Sequence, residues 1–214
     1  AYDIAVIAKH LLQDFPEVTK YTSKPTALFS NTQIENPNLM LEGMPNYRSG
    51  VDGLQVSNST KGGITFAASP TQNGIHMITV VLGVEAVDGD PYARFVATSS
   101  LMNYVVRTFV SSIVVKEGDP YGKSKATIMD GKSETVLAVA KKDFYIVEKQ
   151  GSQAEPKIQF KSDQESFRAP VKSGTNLGKL HYTDPDKIGR GYLEDQEPTV
   201  DMVAGRTIEK SFFL

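Results

Sequence analysis

The sequence predicts an α+β chain with two domains, a helix-and-sheet domain over residues 1–109 and a small all-β sandwich over residues 110–214. Charge density supports this division, because residues 1–109 carry 16 charged side chains and residues 110–214 carry 32. The hydrophobic pattern also changes near residue 110, where long periodic runs give way to short alternating runs separated by turn residues. A length of 214 residues fits two domains of ordinary size.

The composition excludes several kinds of site and partner. The chain contains no cysteine, which excludes disulfide scaffolds, Cys-type zinc sites and thiol nucleophiles. Its three histidines, His10, His76 and His181, lie too far apart in sequence to form a metal-binding motif. The net charge of −2 provides no basic excess for nucleic-acid binding, so we expect no nucleic-acid partner. No apolar run approaches the roughly 20 residues that a membrane-spanning helix needs.

An amphipathic helix is predicted at the start of the chain. Its apolar stripe recurs at helical spacing and consists of Ile4, Ile7, Ala8, Leu11 and Phe15. Pro16 ends the pattern, because the residue before a proline avoids the helical conformation. The first residues already have the character of the middle of a helix, so we expect the chain to be a fragment.

Three adjacent antiparallel strands and a long helix are predicted next. Strand-like runs at 50–57 and 63–68 flank a polar turn at 58–62, and a third β-rich run covers 75–82. Asp90-Pro91 predicts a helix start, with aspartate as the N-cap and proline at the first helical position. The apolar face of this helix is expected to cover the sheet, and it contains Phe95, Met102, Val106 and Phe109.

Seven short strands are predicted in the second domain, separated by turn residues. Strands at this spacing are typical of a small all-β sandwich. They cover residues 110–115, 125–129, 135–139, 144–147, 157–160, 167–171 and 177–182.

Four stretches of the chain resemble the low-molecular-mass penicillin-binding proteins, the serine D-alanyl-D-alanine carboxypeptidases. They are the segment at 2–11, VDGLQVSNST at 51–60, ITFAASPTQNGIHMITVVLG at 64–83 and FRAPVKSGTNLGKL at 167–180. The similarity runs in register over nearly the whole chain. It implies that residues 1–109 are the C-terminal part of the penicillin-binding, serine β-lactamase-like domain. Residues 110–214 would then be the β-rich C-terminal domain of the family.

The chemistry of the family needs three motifs, of which two do not occur in this chain. S-x-x-K carries the nucleophilic serine and its base, S-x-N is the second motif, and K-T-G lies on the strand that lines the site. Neither S-x-x-K nor S-x-N occurs in this sequence. In intact members both precede the segment that begins here. We therefore expect no catalytic residue in this chain.

The third motif is replaced by Gln55, Val56 and Ser57, which follow residues 51–54 where the family has Lys-Thr-Gly. In the family the lysine charge faces the terminal carboxylate of the substrate, the threonine hydroxyl binds that carboxylate, and the glycine allows close approach. Glutamine is neutral, valine has no donor, and serine adds a side chain. The change is compatible with natural degeneration, an engineered replacement or altered chemistry.

Other motif-like residues have simpler explanations. Lys172-Ser173-Gly174 formally matches K-[ST]-G, but its hairpin context in the second domain predicts a turn. Asp52-Gly53 is typical of a turn, with a loop beside the site strand as the alternative. Ser57 and Ser59 have no histidine or lysine at a catalytic spacing, so we do not expect either to be a nucleophile.

Two functions are compatible with these observations. In the first, the chain is part of a carboxypeptidase that trims the terminal D-alanine from peptidoglycan stem peptides through an acyl-serine intermediate, as the resemblance implies, and is inactive alone. In the second, it is a degenerate, non-enzymatic cell-wall or protein-binding module, which the replaced triplet at 55–57 favours.

The resemblance also implies a location and partners. Family members are exported to the outer face of the bacterial cytoplasmic membrane, act on the cell wall, bind β-lactams, and use no metal and no organic cofactor. Residues 208–214 look like the approach to the family's amphipathic membrane-anchor helix, which would lie beyond Leu214. A complementing N-terminal segment would cover the apolar surface that this chain leaves exposed.

Overall fold

The computed structural model describes residues 1–59, 61–85, 90, 92–189 and 191–212. The chain divides into two compact units, Ala1–Val110 and Ser111–Leu214. Helices and strands occur together, with strands in the majority, which confirms the α+β class. Within the described ranges, no helix is both long enough and apolar enough to cross a membrane.

The first unit combines helices with three small antiparallel sheets. Its helices are α1 (Tyr2–Asp14), α2 (Thr19–Thr22) and α3 (Ala93–Thr108), and a 3-10 turn at Pro16–Val18 joins α1 to α2. Its strands are β1 (Thr26–Phe29), β2 (Thr32–Glu35), β3 (Leu54–Ser59), β4 (Gly63–Ala68), β5 (Thr71–Gln72), β6 (Ile75–His76) and β7 (Thr79–Val84). β3, β4 and β7 form one sheet in that order, while β1–β2 and β5–β6 form separate hairpins.

The predicted three-stranded sheet is present, but its third strand differs from the run expected at 75–82. Residues 75–76 form β6 and pair with β5, and the sheet continues only from Thr79 in β7. The cause is the turn Asn73-Gly74, whose φ angles are 50° and 74°. Positive φ at both positions is what a two-residue Asn-Gly hairpin requires. This dipeptide was the signal in the sequence that residues 75–76 fold back on β5 and do not continue into β7.

Helix α3 packs on this sheet through the predicted Phe95 and Met102, whereas Val105 replaces the predicted Val106 and Phe109 begins the following strand. Phe95 and Met102 are buried in one cluster with Phe66 of β4, and the rings of Phe66 and Phe95 meet edge to face with centroids 5.3 Å apart. The helix begins at Ala93 with Tyr92 as its N-cap, so the predicted N-cap Asp90 lies two residues too early; its carboxylate accepts a hydrogen bond from the Tyr92 N–H at 2.8 Å. The predicted N1 proline, Pro91, lies outside the described residues.

Helix α1 forms as predicted, but the described residues leave most of its apolar stripe exposed. Ala8 alone among its residues is buried. Ile7 is 66% exposed and Phe15, just after the helix, is 57% exposed. The helix lies against the 3-10 turn and β7, which together are too small to cover the whole stripe.

The second unit is an all-β sandwich of eight strands among its described residues, whereas the sequence predicts seven. They are β8 (Phe109–Val115), β9 (Pro120–Met129), β10 (Thr135–Ala140), β11 (Phe144–Lys149), β12 (Lys157–Ser162), β13 (Phe167–Arg168), β14 (Asn176–Thr183) and β15 (Thr199–Ala204). One sheet has the order β12-β14-β15-β10-β9-β13, and the other pairs β8 with β11. β13 is shorter than the predicted strand at 167–171, which contains Pro170 and therefore lacks one N–H donor.

The strand that the sequence analysis missed, β15, lies in the middle of the six-stranded sheet between β14 and β10. Its residues alternate in burial, with Val200, Met202 and Ala204 facing the core. This period of two was visible in the sequence. The buried residues of both sheets belong to one apolar cluster, which includes Leu180, Met202, Phe144 and Val115.

The closing segment of the chain remains attached to the second unit. Ile208 is buried and forms a β-bridge with Val171, and Lys210 forms one with Gly131. Residues 213 and 214 lie outside the described residues, so the predicted approach to an anchor helix is described only as far as Phe212.

The start of β3 depends on a glycine. Gly53 has a φ of 119°, and a Cβ at this position would lie 2.6 Å from the carbonyl oxygen of Thr22. The Thr22 hydroxyl donates a hydrogen bond to the carbonyl oxygen of Asp52 at 3.2 Å. Leu54 also has a positive φ, of 93°. A close backbone approach and a left-handed conformation therefore coincide where the strand begins.

Replacing Gly53 with alanine is expected to lower the free energy of unfolding by about 1–3 kcal/mol, because a left-handed backbone and a steric clash act together. Urea unfolding followed by circular dichroism measures the loss. Gly43→Ala is the matched control, since Gly43 also has a positive φ (81°) but a Cβ added there would meet no atom within 4 Å. Equal losses in the two variants would contradict the steric role of Gly53.

Truncating Met202 to alanine is expected to destabilise the second unit by about 2–5 kcal/mol, because Met202 is fully buried in its central strand. The same unfolding experiment tests this. Val203→Ala, in the next position and on the opposite, half-exposed face of β15, is expected to cost much less. A similar cost for both variants would contradict the assigned alternation.

Candidate active-site strand

The triplet Gln55, Val56 and Ser57 lies on β3, the edge strand of the sheet β3-β4-β7. Gln55 is exposed, whereas Val56 is half-buried and packs against the apolar cluster under α3. Because side chains alternate along a strand, Gln55 and Ser57 share one face of β3 and Val56 lies on the other. The strand therefore displays the neutral amide of Gln55 on its exposed face.

Asp52-Gly53 is an anchor for β3 and does not form the turn that its composition suggests. The Asp52 carboxylate accepts a short hydrogen bond from the hydroxyl of Ser69, which follows β4. The Asp52 carbonyl oxygen is bound by Thr22 of α2. These contacts hold the residues that lead into the strand from two sides.

Arg94 is a residue that sequence reasoning missed. Its side chain is 4% exposed, and its Nη1 donates to the carbonyl oxygens of Ser57 and Thr65, both at 3.0 Å. Its Nη2 donates to the side-chain oxygen of Asn58. The guanidinium thus connects α3 to both strands of the β3–β4 hairpin. The signal was an arginine four residues before Thr98 and eight before Met102, on the buried face of the helix.

The environment of Arg94 is unusual for a cation. Burial lowers the pKa of its guanidinium from the ordinary value, yet an arginine remains charged at neutral pH. Among the residues that the structure describes, no carboxylate lies within 4.0 Å of it, and its Nε has no hydrogen-bond partner. The positive charge is stabilised instead by oxygen dipoles of the hairpin and by the Phe95 ring, whose centroid lies 5.8 Å away.

The two serines near the triplet have structural partners. The Ser59 hydroxyl accepts a hydrogen bond from the Gly62 N–H at 2.7 Å in the hairpin turn. The Ser57 carbonyl oxygen is shared by Arg94 and by the Thr65 hydroxyl, which lies 3.2 Å away. In the described part of the chain, neither serine hydroxyl has a histidine or lysine partner.

The remaining candidate residues lie apart from β3. His10 is on α1, His76 is exposed on β6, and His181 is on β14 of the second unit. Over the described ranges, no group of three or more acidic or histidine side chains could hold a metal ion. Lys172-Ser173-Gly174 forms a turn in the second unit, in which the Lys172 carbonyl oxygen accepts the Thr175 N–H at 3.1 Å.

Two family models match the chain, one in each unit. The model described as D-alanyl-D-alanine carboxypeptidase matches residues 1–86. The model described as penicillin-binding protein 5, C-terminal domain, matches residues 109–210.

Individual proteins give the same result. D-alanyl-D-alanine carboxypeptidase DacA of Haemophilus influenzae is 26% identical over 183 residues, which are 85% of this chain and 44% of the relative. A crystal structure of a peptidoglycan synthesis regulatory factor (PBP3) from Streptococcus pneumoniae is 43% identical with a TM-score of 0.93, covering 98% of this chain and 57% of that one. Penicillin binding protein 5 of H. influenzae, at 23% identity and a TM-score of 0.63, shares the fold over 97% of this chain and 56% of its own.

The chain thus spans about half the length of the relatives that it matches. The first unit matches the carboxypeptidase model and the second unit matches the C-terminal domain model. The resemblance identified from the sequence is confirmed: the chain belongs to the family of low-molecular-mass penicillin-binding proteins, the D-alanyl-D-alanine carboxypeptidases.

Proposed function

We propose that this chain is part of a D-alanyl-D-alanine carboxypeptidase that trims peptidoglycan stem peptides, contributing the third-motif strand and the β domain. One observation carries the proposal. β3 is an edge strand that carries residues 55–57, the triplet expected at the family's K-T-G position, within a chain 43% identical to a penicillin-binding protein over nearly its whole length. An edge strand can pair with an extended peptide substrate along its free side.

The chain by itself is proposed to be inactive towards substrate and β-lactam. It has neither S-x-x-K nor S-x-N, so it lacks a serine activated by a nearby base. Gln55 also removes the charge that a substrate carboxylate would meet. Losing one charge-assisted hydrogen bond costs roughly 1.5–3 kcal/mol, which is about ten- to 150-fold in binding or rate.

The location and partners belong to the same proposal. The protein acts in the cell wall at the outer face of the cytoplasmic membrane, and a helix beyond residue 214 attaches it to the membrane surface. A further N-terminal segment of the protein covers α1. The exposure of Ile7 and Phe15 supports this, because an apolar stripe of a folded domain is normally buried against a neighbouring element.

A non-enzymatic cell-wall or protein-binding module is the second candidate. The replacement of all three residues of the K-T-G motif favours it. The two candidates differ in what residues 55–57 do once a nucleophile is present, and this difference can be measured directly.

Incubation of this chain with a fluorescent penicillin is expected to give no covalent label, measured on a gel and by intact mass. The reason is the absent activated serine. A chimera that joins the preceding part of the S. pneumoniae relative to this chain, with Gln55→Lys, Val56→Thr and Ser57→Gly, is expected to acquire label. The same chimera with the original triplet is expected to acylate about ten- to 150-fold more slowly.

Each arm of this experiment has a contradicting outcome. One penicillin per chain in the unmodified protein would contradict inactivity, and Ser57 and Ser59 would be the first residues to replace. Acylation of both chimeras at equal rates would contradict the role assigned to residues 55–57. A labelled restored chimera beside a completely silent original one would favour the non-enzymatic module.

Replacing Arg94 with glutamine is expected to loosen β3 and β4, because the carbonyl oxygens of Ser57 and Thr65 lose a buried donor. Each unmet buried group costs about 1–3 kcal/mol. Amide hydrogen exchange over 54–68 measures this loosening. Arg107→Gln, an exposed arginine in the last turn of the same helix, is the matched control. Unchanged exchange in Arg94→Gln would contradict the positioning role of Arg94.

A further inference from the structure

The outer surface of the sheet in the second unit carries a concentration of positive charge along two neighbouring strands. β12 and β14 pair in a register that places Lys161 opposite Lys179 and Gln159 opposite His181. These four side chains share the outer face of the sheet, because side chains alternate along a strand and the residues between them face the core. Leu180 and Tyr182 of β14 are buried, and Phe160 of β12 is half-buried. We call the surface formed by Lys157, Lys161, Lys179 and His181 the lysine face.

The pairing of Lys161 with Lys179 lowers the stability of the folded sheet. Directly opposite residues of an antiparallel pair have Cβ atoms about 4.5–5.5 Å apart, and like charges at such positions destabilise a sheet. The second unit has equal numbers of basic and acidic residues, so its composition does not force two lysines into one pair. A cost of this kind is consistent with a binding role for the pair.

Nearby carboxylates neutralise the lysine face only in part, because Asp201 pairs with Lys179 whereas Lys157 and Lys161 have no described carboxylate partner. Asp201 lies between two cations, 3.8 Å from Lys141 and 4.0 Å from Lys179. Glu197 is engaged by Lys187, whose Nζ lies 2.7 Å from its Oε1. Within the described residues, no carboxylate lies within 4.0 Å of Lys157 or Lys161. Positive charge therefore remains available at this surface.

Neutral donors surround the same place. A small hollow on the surface is lined by Lys157, Gln159, Lys161, His181, Thr183 and Glu197. The amide of Gln159 and the ring of His181 can donate hydrogen bonds to an anion held by the lysines. Lysine is a common ligand of phosphate groups, which it binds as a point charge.

The spacing of the lysines indicates a ligand with repeated charges. Lys157 and Lys161 are four residues apart on one strand, which corresponds to about 13 Å along its axis. When the side chains of Lys157 and Lys161 are extended away from the sheet, one small anion cannot contact both of their ammonium groups. A chain of linked anionic groups can contact both. We propose that the lysine face binds a linear polyanion whose charges are phosphate groups, a function separate from peptide trimming.

Two other ligand classes fit this surface less well. Single-stranded nucleic acids are usually bound by aromatic side chains on which the bases stack, and the outward positions of β12 and β14 carry no Phe, Tyr or Trp. Membrane surfaces are bound by apolar side chains inserted among the lipids, and these outward positions are polar. The repeated charge of a flexible phosphate polymer therefore matches the lysine face best.

His181 provides a reporter for the bound anion. Partial burial, Lys161 and Lys179 lower the pKa of its imidazole, and Glu197 opposes them. Beyond these groups, Asp201 of β15 and Lys157 of β12 lie on the same face. A phosphate group beside the imidazole would stabilise its protonated form, so ligand binding should raise this pKa.

The experiment measures binding of sodium polyphosphate to the full chain by titration calorimetry, and the pKa of His181 by NMR with His10 and His76 as internal references. We expect binding that weakens roughly fivefold for each lysine removed in Lys161→Gln and Lys179→Gln. Lys172→Gln, an exposed lysine in a distant turn of the same unit, is expected to bind normally. Circular dichroism verifies that each variant is folded.

Two further results are expected. Lys161→Gln alone should raise the pKa of His181 without ligand, which shows that the cluster exists in solution. Orthophosphate at equal phosphate concentration should bind at least about tenfold more weakly than the polymer, because several lysines act together on a chain.

Several outcomes would overturn the proposal. They are the absence of polyphosphate binding, an equal loss in Lys172→Gln, an unchanged pKa of His181 on binding, and equal affinity for orthophosphate. Lysine-dependent binding to phosphatidylglycerol vesicles without binding to polyphosphate would identify a membrane surface instead and would also overturn it. None of these measurements involves penicillin, so the result is independent of the proposed carboxypeptidase function.

Discussion

A single buried guanidinium connects the elements on which the candidate site depends. Arg94 projects from the first turn of α3 and binds the backbone of both β3 and β4. Its charge has no described carboxylate partner, so the orientation of the hairpin carbonyl groups has to satisfy it. The helix, the hairpin and the triplet at 55–57 therefore form one mechanical unit. A shift of any of these elements would leave a buried charge without its partners.

The contacts that hold β3 and the side chains that β3 displays are separate sets. Asp52, Gly53 and Arg94 fix the strand through backbone atoms and through residues outside the triplet. Gln55 points to solvent and takes no part in these contacts. A strand built in this way keeps its position when its displayed side chains change. This separation allows the chain to keep the fold of its family with a neutral Gln55 displayed on β3, while Val56 on the other face packs against the apolar cluster.

The sequence predicted the elements whose signals are local and periodic. The α1 stripe, the apolar face of α3 and most strands of the second unit followed from hydrophobic spacing. The errors came from an overlooked turn and an overlooked alternation: the turn Asn73-Gly74 pairs residues 75–76 with β5 and not with the main sheet, and β15 follows from the alternation at residues 199–204. Arg94 could not be assigned in this way, because its partners are backbone groups nearly thirty or more residues away. Spacing along a chain does not reveal which carbonyl groups a buried cation will meet.

The central position of β15 has a consequence for the synthesis of the protein. β9 and β10 pair early in the chain, and β12 and β14 form a second pair, but only β15 joins them. A ribosome that has released residues up to 183 has therefore produced two separate groups of strands, β12–β14 and β10–β9–β13, each with an unpaired edge that would attract other chains. The sheet closes only when residues 199–204 emerge, close to the end of this segment. Completion of the second unit is in this sense a late, non-local event, and nascent chains that stop before residue 199 would be prone to aggregation.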